Sequence, residues 1–276
     1  MPATDPNRDA IAALAAHLNC PILAEPLSGL RFGKHDRSRL SVRYDTWLAD
    51  PSFTEKCPPE WVLRFGSFPV TRRLQNHLAS IQATHGLAEA WPAWADPSHR
   101  LTHLFRCHPS ELCSALLAEN ITPAPDDWLP MFAEQESLAS AQADVTHIGT
   151  LLELLPDETP LFVGNSLAIR QVDRHSGCAS KAIHFYGNRG ASGIDGNIST
   201  AMGIAAVHGR VVALIGDLTC QHDLGGLALA KGRDAVIVVV NNAGGGIFDH
   251  LPQRDLPEFE QGWRTPQQIN FEHAAL

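Results

Sequence analysis

The chain has 276 residues, more than most single domains, and its formal charge of -9 excludes a general grip on nucleic acid or anionic membrane, either of which needs a basic face. Hydrophobic residues make up 44 % and charged residues 18 %, an ordinary globular composition with material for more than one core. No apolar run approaches the ~20 residues needed to span a bilayer, and residues 1–19 show no basic leader ahead of an apolar stretch.

In chain order, Asp9 to Leu18 places Ile11, Leu14, Ala15 and Leu18 at helical spacing, and Pro21 to Ala24 follows as a short buried strand. Glu60 to Phe65 reads as a second strand, stopped by Gly66, with Ser67 or Thr71 as cap of a helix running through Leu78. Pro109 opens a third helix that ends near Asn120. Thr122 to Asp127 is proline-rich and without periodicity, the best linker in the chain. Helical pattern resumes to Leu155. Four short apolar strands follow, Leu161–Val163, Ala182–Tyr186, Val211–Ile215 and Ala235–Val240. The last two are continuous apolar runs, as expected of strands covered on both faces. The expectation is therefore α/β, with two doubly wound, mainly parallel-sheet domains: residues 1–125 and residues 126–276.

The chemistry gathers at the predicted strand ends. Val211–Ile215 runs into Gly216-Asp217, and Ala235–Val240 runs into Asn241-Asn242 and then Gly244-Gly-Gly246. In an open parallel sheet ligands bind outside the carboxyl ends of the strands, so both polar clusters project from one edge. A carboxylate, an amide oxygen and a backbone carbonyl are hard oxygen donors suited to Mg²⁺, and glycines let the backbone approach a diphosphate closely. A dinucleotide fold would instead place GxGxxG after the first strand; neither Gly164-Asn-Ser166 nor Gly187-Asn-Arg-Gly190 supplies it. Asp217 as a mere helix cap and Asn241-Asn242 as a mere turn is the plainer alternative, weakened by their paired placement.

Gly216-Asp217 followed by Asn241-Asn242 resembles the GDG…NN motif of thiamine diphosphate enzymes, with Leu218 in place of the third glycine and a slightly short interval. Three further segments sharpen the resemblance toward the 2-succinyl-5-enolpyruvyl-6-hydroxy-3-cyclohexene-1-carboxylate (SEPHCHC) synthases of menaquinone biosynthesis, which tolerate leucine there. They are Gly164-Asn-Ser-Leu-Ala-Ile-Arg170, Asn188-Arg-Gly-Ala-Ser-Gly-Ile-Asp-Gly196 and Phe271-Glu-His-Ala-Ala275. The resemblance is weak before Leu161 and strong after it.

That resemblance implies a transferase that decarboxylates 2-oxoglutarate and adds the succinyl unit to isochorismate, with thiamine diphosphate and Mg²⁺ (or Mn²⁺) as cofactors. It implies Asp217, Asn242 and the Gly244 carbonyl as metal ligands, and Gly216, Leu218, Gly245, Ser192 and Gly193 as cofactor contacts. Ile194 would press beneath the cofactor and hold its two rings in a bent arrangement. Both substrates carry carboxylates, which guanidinium groups bind in a planar fork. Arg170, assisted by Ser166, and Arg189 are assigned to them, and Arg72 and Arg73 resemble the middle-domain basic pair on the isochorismate side. The resemblance further implies a homodimer or larger assembly. The glutamate that activates the cofactor would come from an N-terminal domain, expected to be absent, and the second domain is expected to be C-terminally incomplete. The chain thus reads as a fragment, inactive or nearly so by itself.

The six cysteines form no CxxC pair and read as reduced thiols of a cytoplasmic protein. Among fourteen histidines, His99, His103 and His108 lie near Cys107, a spacing that serves zinc only on a helix, whereas Pro109 and the local pattern suggest strand and loop. His222 and His273 fall near the proposed site without an evident partner. Competing readings are another thiamine diphosphate 2-oxoacid decarboxylase or synthase, a non-catalytic cofactor-binding module, and a nucleotide-binding α/β protein.

Overall fold

The apolar runs and helical stripes become the elements of a computed structural model that describes residues 6–92, 94–144 and 146–275. Met1 and Leu276, where the expectations of a missing and an unfinished domain were placed, lie outside the described residues. The chain divides into two compact units, residues 1–153 with 173–182, and residues 154–172 with 183–276.

In the first unit, helix α1 (Pro6–Leu18) leads into strand β1 (Ile22–Leu23), which pairs in parallel with β2 (Leu40–Ser41). Helices α2 (Tyr44–Trp47) and α3 (Pro51–Lys56) follow, the latter capped by Asp50, whose carboxylate accepts from Ser52 N–H. Strands β3 (Trp61–Phe65), β4 (Thr84–Ala88) and β5 (His103–Phe105) form a parallel sheet in sequential order, with α4 (Arg72–Ser80) between the first two and α5 (Pro109–Leu117) after the third. Thr71 holds the N-cap position of α4 but makes no capping bond there. His108 caps α5 in a reciprocal box with Glu111.

The proline-rich stretch at 122–127 is irregular, and beyond it α6 (Trp128–Ala141) packs with the first unit rather than leaving it. Two observations explain why. Phe132 stands edge-on to Phe53, ring centroids 5.2 Å apart, in a cluster with Tyr44, Trp47, Leu74 and Leu78. The Glu136 carboxylate accepts the Val42 and Arg43 backbone N–H groups at 3.0 Å. Helix α7 (His147–Leu154) closes this stretch of chain.

In the second unit, β6 (Thr159–Val163), β7 (Ile183–Tyr186), β8 (Arg210–Gly216) and β9 (Asp234–Val240) form one parallel sheet in the order β7-β6-β8-β9. Helix α8 (Leu167–His175) follows β6, α9 (Asn197–His208) follows β7, and α10 (Asp217–His222) follows β8. The chain goes to one side of β6 for β7 and to the other for β8, which makes the β6/β8 boundary the topological switch point. Phe162, Ile198, Met202, Val211 and Ile215 form the core between sheet and α9. Each such buried side chain is worth about 1.5–3 kcal/mol. Helix α9 ends at Gly209, in the left-handed region at φ 80°, and begins where Ser199 N–H and Oγ both donate to Asp223. Helix α11 (Phe271–Ala275) is the last described element. Among the described residues no helix is long and apolar enough to cross a membrane.

Burial lowers the pKa of His35, His77, His85, His175 and His208. The folded state therefore favours their neutral forms. Their contribution is complete above the unfolded histidine value of about 6.5 and is lost as pH falls through the lowered folded values. The urea midpoint is expected to drop between pH 7.5 and pH 5.5. A constant or rising midpoint over that interval contradicts this origin.

Candidate functional site

All four strand ends of the second unit open on the same edge of the sheet. Register pairs Phe162 with Tyr186, Val163 with Leu214 and Gly216 with Val240, so residues 164–166, 187–193, 216–218 and 241–246 leave the sheet as neighbours. The four motifs read from the sequence are thereby brought together around the switch point. Gly164 is needed at the first of these ends, since a Cβ there would sit 3.1 Å from Ile215 Cγ2.

Asn165, nearly fully buried, ties two of these segments. Its amide nitrogen donates to the carbonyls of Asn188 (3.1 Å) and Gly193 (2.7 Å), and its amide oxygen accepts from Arg189 Nη1 at 2.6 Å. The guanidinium of Arg189 is thus held at the strand ends by a neutral partner, leaving its charge uncancelled by that bond. Asn165 also fixes the backbone beside Ile194, which is half-buried, while Ser192 and Gly193 are exposed. The sequence reading named Ser166 and Arg170 in this segment and passed over Asn165. The signal was its place in the matched segment Gly164-Asn-Ser-Leu-Ala-Ile-Arg170 just after a buried strand, from which no role was assigned to it.

Ser166 is in the left-handed region at φ 63°, and its carbonyl accepts from Arg170 Nη1 at 2.7 Å. Arg170, in the first turn of α8, is therefore folded back toward the strand end. Arg72 and Arg73 open α4 in the other unit. Arg73 donates to the Asp45 carbonyl at 2.8 Å and to its carboxylate at 3.3 Å, whereas Arg72 is exposed.

At the β8 and β9 ends, Asp217 is buried and its Oδ2 accepts the Gly244 N–H at 2.7 Å. Leu218 behind it is half-buried. Asn241 turns the chain by accepting the Ala243 N–H on its side chain at 3.0 Å. Asn242 does otherwise: its side-chain oxygen is buried and has no hydrogen-bond partner among the described residues. A buried amide oxygen without a donor costs about 1–3 kcal/mol, and such an orphan calls for an explanation. Ala243 and Gly244 follow with positive φ, 59° and 140°. A Cβ on Gly244 would approach the Arg264 carbonyl to 2.5 Å, and a Cβ on Gly246 would collide with the Asn242 amide. The glycines keep this loop tight against the strand end.

Two carboxylate oxygens, an orphaned amide oxygen and the Gly244 carbonyl, which also accepts the Gly246 N–H at 2.9 Å, make a donor set of hard oxygens on adjacent strand ends. Such a set suits a small divalent cation that also binds phosphate oxygens. His222, for which the sequence offered no partner, pairs through Nδ1 with Asp195 at 2.8 Å, and both side chains are largely exposed. His103 lies on β5, His99 in a turn and His108 at the head of α5, so this series occupies strand and loop as expected.

Residues 171–276 match the family described as thiamine pyrophosphate enzyme, C-terminal TPP binding domain. Residues 171–276 are thus similar to a TPP-binding domain. Thiamine pyrophosphate and thiamine diphosphate are one compound. The matched span begins inside α8, so Ser166, Arg170 and β6 precede it. Over all 276 residues the chain is 62 % identical to 2-succinyl-5-enolpyruvyl-6-hydroxy-3-cyclohexene-1-carboxylate synthase of Dechloromonas aromatica, covering 100 % of this chain and 51 % of that protein. It is 38 % identical to the protein of that name from Bacillus velezensis over 280 residues, covering 96 % and 48 %. A Haloarcula marismortui protein of the same name is 38 % identical over 280 residues, covering 96 % and 47 %. The chain spans about half the length of the curated relatives it matches. The parallel α/β fold expected from the sequence is present, and the similarity to a TPP-binding domain falls on residues 171–276.

Proposed function

We propose that the second unit binds the diphosphate of thiamine diphosphate through Mg²⁺, as part of an SEPHCHC synthase. The observation that carries the reading is the buried Asn242 Oδ1, without a partner among the described residues, just past the end of β9, beside the β8 end that carries buried Asp217. Asp217, Asn242 and the Gly244 carbonyl would hold the ion, and Mn²⁺ would serve in its place. Gly216, Leu218, Gly245, Ser192 and Gly193 would line the cofactor, with Ile194 against its rings. When bound, thiamine diphosphate supplies the reactive carbon that lets a 2-oxoacid lose carbon dioxide.

The chain's own groups account for the choice of substrate. Arg189, oriented by neutral Asn165, and Arg170, folded back on Ser166, present two guanidinium groups near the switch point of one sheet. Small apolar 2-oxoacids need no such pair, whereas 2-oxoglutarate carries two carboxylates and isochorismate brings its own. Arg72 and Arg73, both exposed at the start of α4, are proposed to meet isochorismate. The full enzyme would be a cytoplasmic homodimer or larger assembly, with the first unit, which runs past the expected boundary at residue 125 to residue 153, as its middle domain. In the relatives about half of the length lies beyond what this chain spans, so the 276 residues by themselves are expected to bind cofactor without turnover.

Calorimetric titration of the purified chain with thiamine diphosphate is the test. Binding is expected with Mg²⁺ and not with excess chelator. Equal binding in both, or binding of adenine nucleotide instead, defeats the Mg²⁺-diphosphate reading. SEPHCHC formed by the 276 residues alone would overturn the expectation of inactivity.

A further inference from the structure

Arg264 touches the proposed metal loop from three directions. It is the last residue of a π-helical turn, Glu260–Arg264, and Thr265 after it takes a left-handed conformation at φ 44°. Its Nη2 donates to the Asn242 carbonyl at 3.1 Å, its Nη1 pairs with the Asp249 carboxylate, and its own carbonyl accepts the Gly245 N–H at 2.6 Å. The backbone oxygen of Arg264 is also the atom that leaves no room for a Cβ at Gly244. One residue therefore holds the backbone of Asn242 and of the glycines that follow it.

We infer that Arg264 is a positioning residue for the metal site: by fixing the Asn242 carbonyl, it leaves the amide oxygen of that residue as the donor free to meet the ion. This rests on the Mg²⁺-diphosphate reading above and names a device within it. The side chain fits the task. A guanidinium has several donors in a rigid plane, so it bridges Asp249 and a backbone carbonyl at once, and the ammonium of lysine cannot fix both in the same geometry. π-Helical turns recur at functional sites because they reposition one backbone segment at a cost in regularity. Asp249 neutralises the charge, which keeps a cation tolerable beside a metal site.

The test compares the apparent Mg²⁺ affinity of the full chain, measured by calorimetry at saturating thiamine diphosphate, with amide exchange at Gly244 to Gly246 without ligand. Arg264→Ala is expected to lower the affinity about tenfold or more, as outer-shell substitutions do, and to speed exchange in the loop. Arg264→Lys should fall between the two. Arg254→Ala removes an exposed arginine of the same charge and is expected to change neither quantity. Should Arg264→Ala fail to fold, Asp249→Ala frees the guanidinium and carries the same comparison. Wild-type affinity in these variants, or an equal loss in Arg254→Ala, overturns the role of Arg264. Absence of Mg²⁺-dependent binding in the wild-type chain overturns the cofactor reading itself, and with it this one.

Discussion

Asp217→Ala is expected to abolish Mg²⁺-dependent binding of thiamine diphosphate while leaving the chain folded. The carboxylate has two tasks. It would supply a charged oxygen to the ion, and its Oδ2 accepts the Gly244 N–H at 2.7 Å, so it also fixes the glycine whose carbonyl is proposed as another ligand. Outer-shell substitutions cost about 10–100-fold in metal affinity, and loss of a ligand that doubles as an anchor should reach at least the upper end. Asp217→Asn separates the tasks, since an amide oxygen can still accept the Gly244 N–H but brings no charge. Its affinity should lie between wild type and Asp217→Ala. Asn242→Ala removes a ligand together with its orphaned oxygen, so binding should fall while the unliganded chain gains stability. The readout is calorimetry together with melting. Ligand at 100 times its Kd stabilises a folded protein by about 2.7 kcal/mol. That rise should be present in wild type and missing in Asp217→Ala. A full rise in the alanine variant would remove Asp217 from the site.

The parts of this site that were legible in the sequence are those written in local order. Strand β8 was visible because Val211 to Ile215 is an unbroken apolar run, and β9 for the same reason. The polar clusters after them were placed on one edge by the rule for parallel sheets. Strand β4 was not visible: Thr-His-Gly-Leu-Ala has one large apolar residue and no alternation, yet it lies between β3 and β5 with Leu87 fully buried. The docking of α6 was equally hidden, since no periodicity tells that Glu136 will meet two backbone amides around residue 42. Asn165 and Arg264 escaped for a related reason. Each acts on the backbone of a segment distant in sequence, 23 residues away for Asn165 to Asn188 and 22 for Arg264 to Asn242, and local spacing announces neither contact, although Asn165 lies inside a recognised segment. The motifs were recognisable; the long-range contacts that hold them against one another were not.

Arg31→Met is expected to destabilise the first unit by about 3–5 kcal/mol, the usual consequence of leaving one partner of a buried ion pair alone. Arg31 and Asp173 are fully buried and paired through Nη2 and Oδ1. The guanidinium further donates from Nε to the Ala24 carbonyl at 2.6 Å and from Nη1 to the Asp173 carbonyl at 2.6 Å and Ser176 Oγ at 3.0 Å. Tyr44 completes the cluster by donating its hydroxyl to Asp173 Oδ1 at 2.5 Å. Burial pushes the Asp173 carboxyl above the usual carboxylate range, and Arg31 pulls it back down. Removing Arg31 takes away the strongest influence opposing burial and leaves only the Tyr44 hydrogen bond, so the folded-state pKa rises further above the unfolded value of about 3.9. A raised folded pKa means that the folded state binds the extra proton. The penalty of Arg31→Met is thus complete above that raised pKa and shrinks as pH falls through it. Urea midpoints at pH 7.5 and pH 5 should converge toward wild type at the lower pH. In Arg31→Met with Asp173→Leu no charge is left buried, and replacing both partners by apolar groups is often neutral. Most of the lost stability should return in that double variant. If it is no more stable than Arg31→Met alone, the cost lies in the guanidinium's other hydrogen bonds, those above and one from Nη2 to the Tyr44 hydroxyl at 3.1 Å, rather than in the stranded carboxylate.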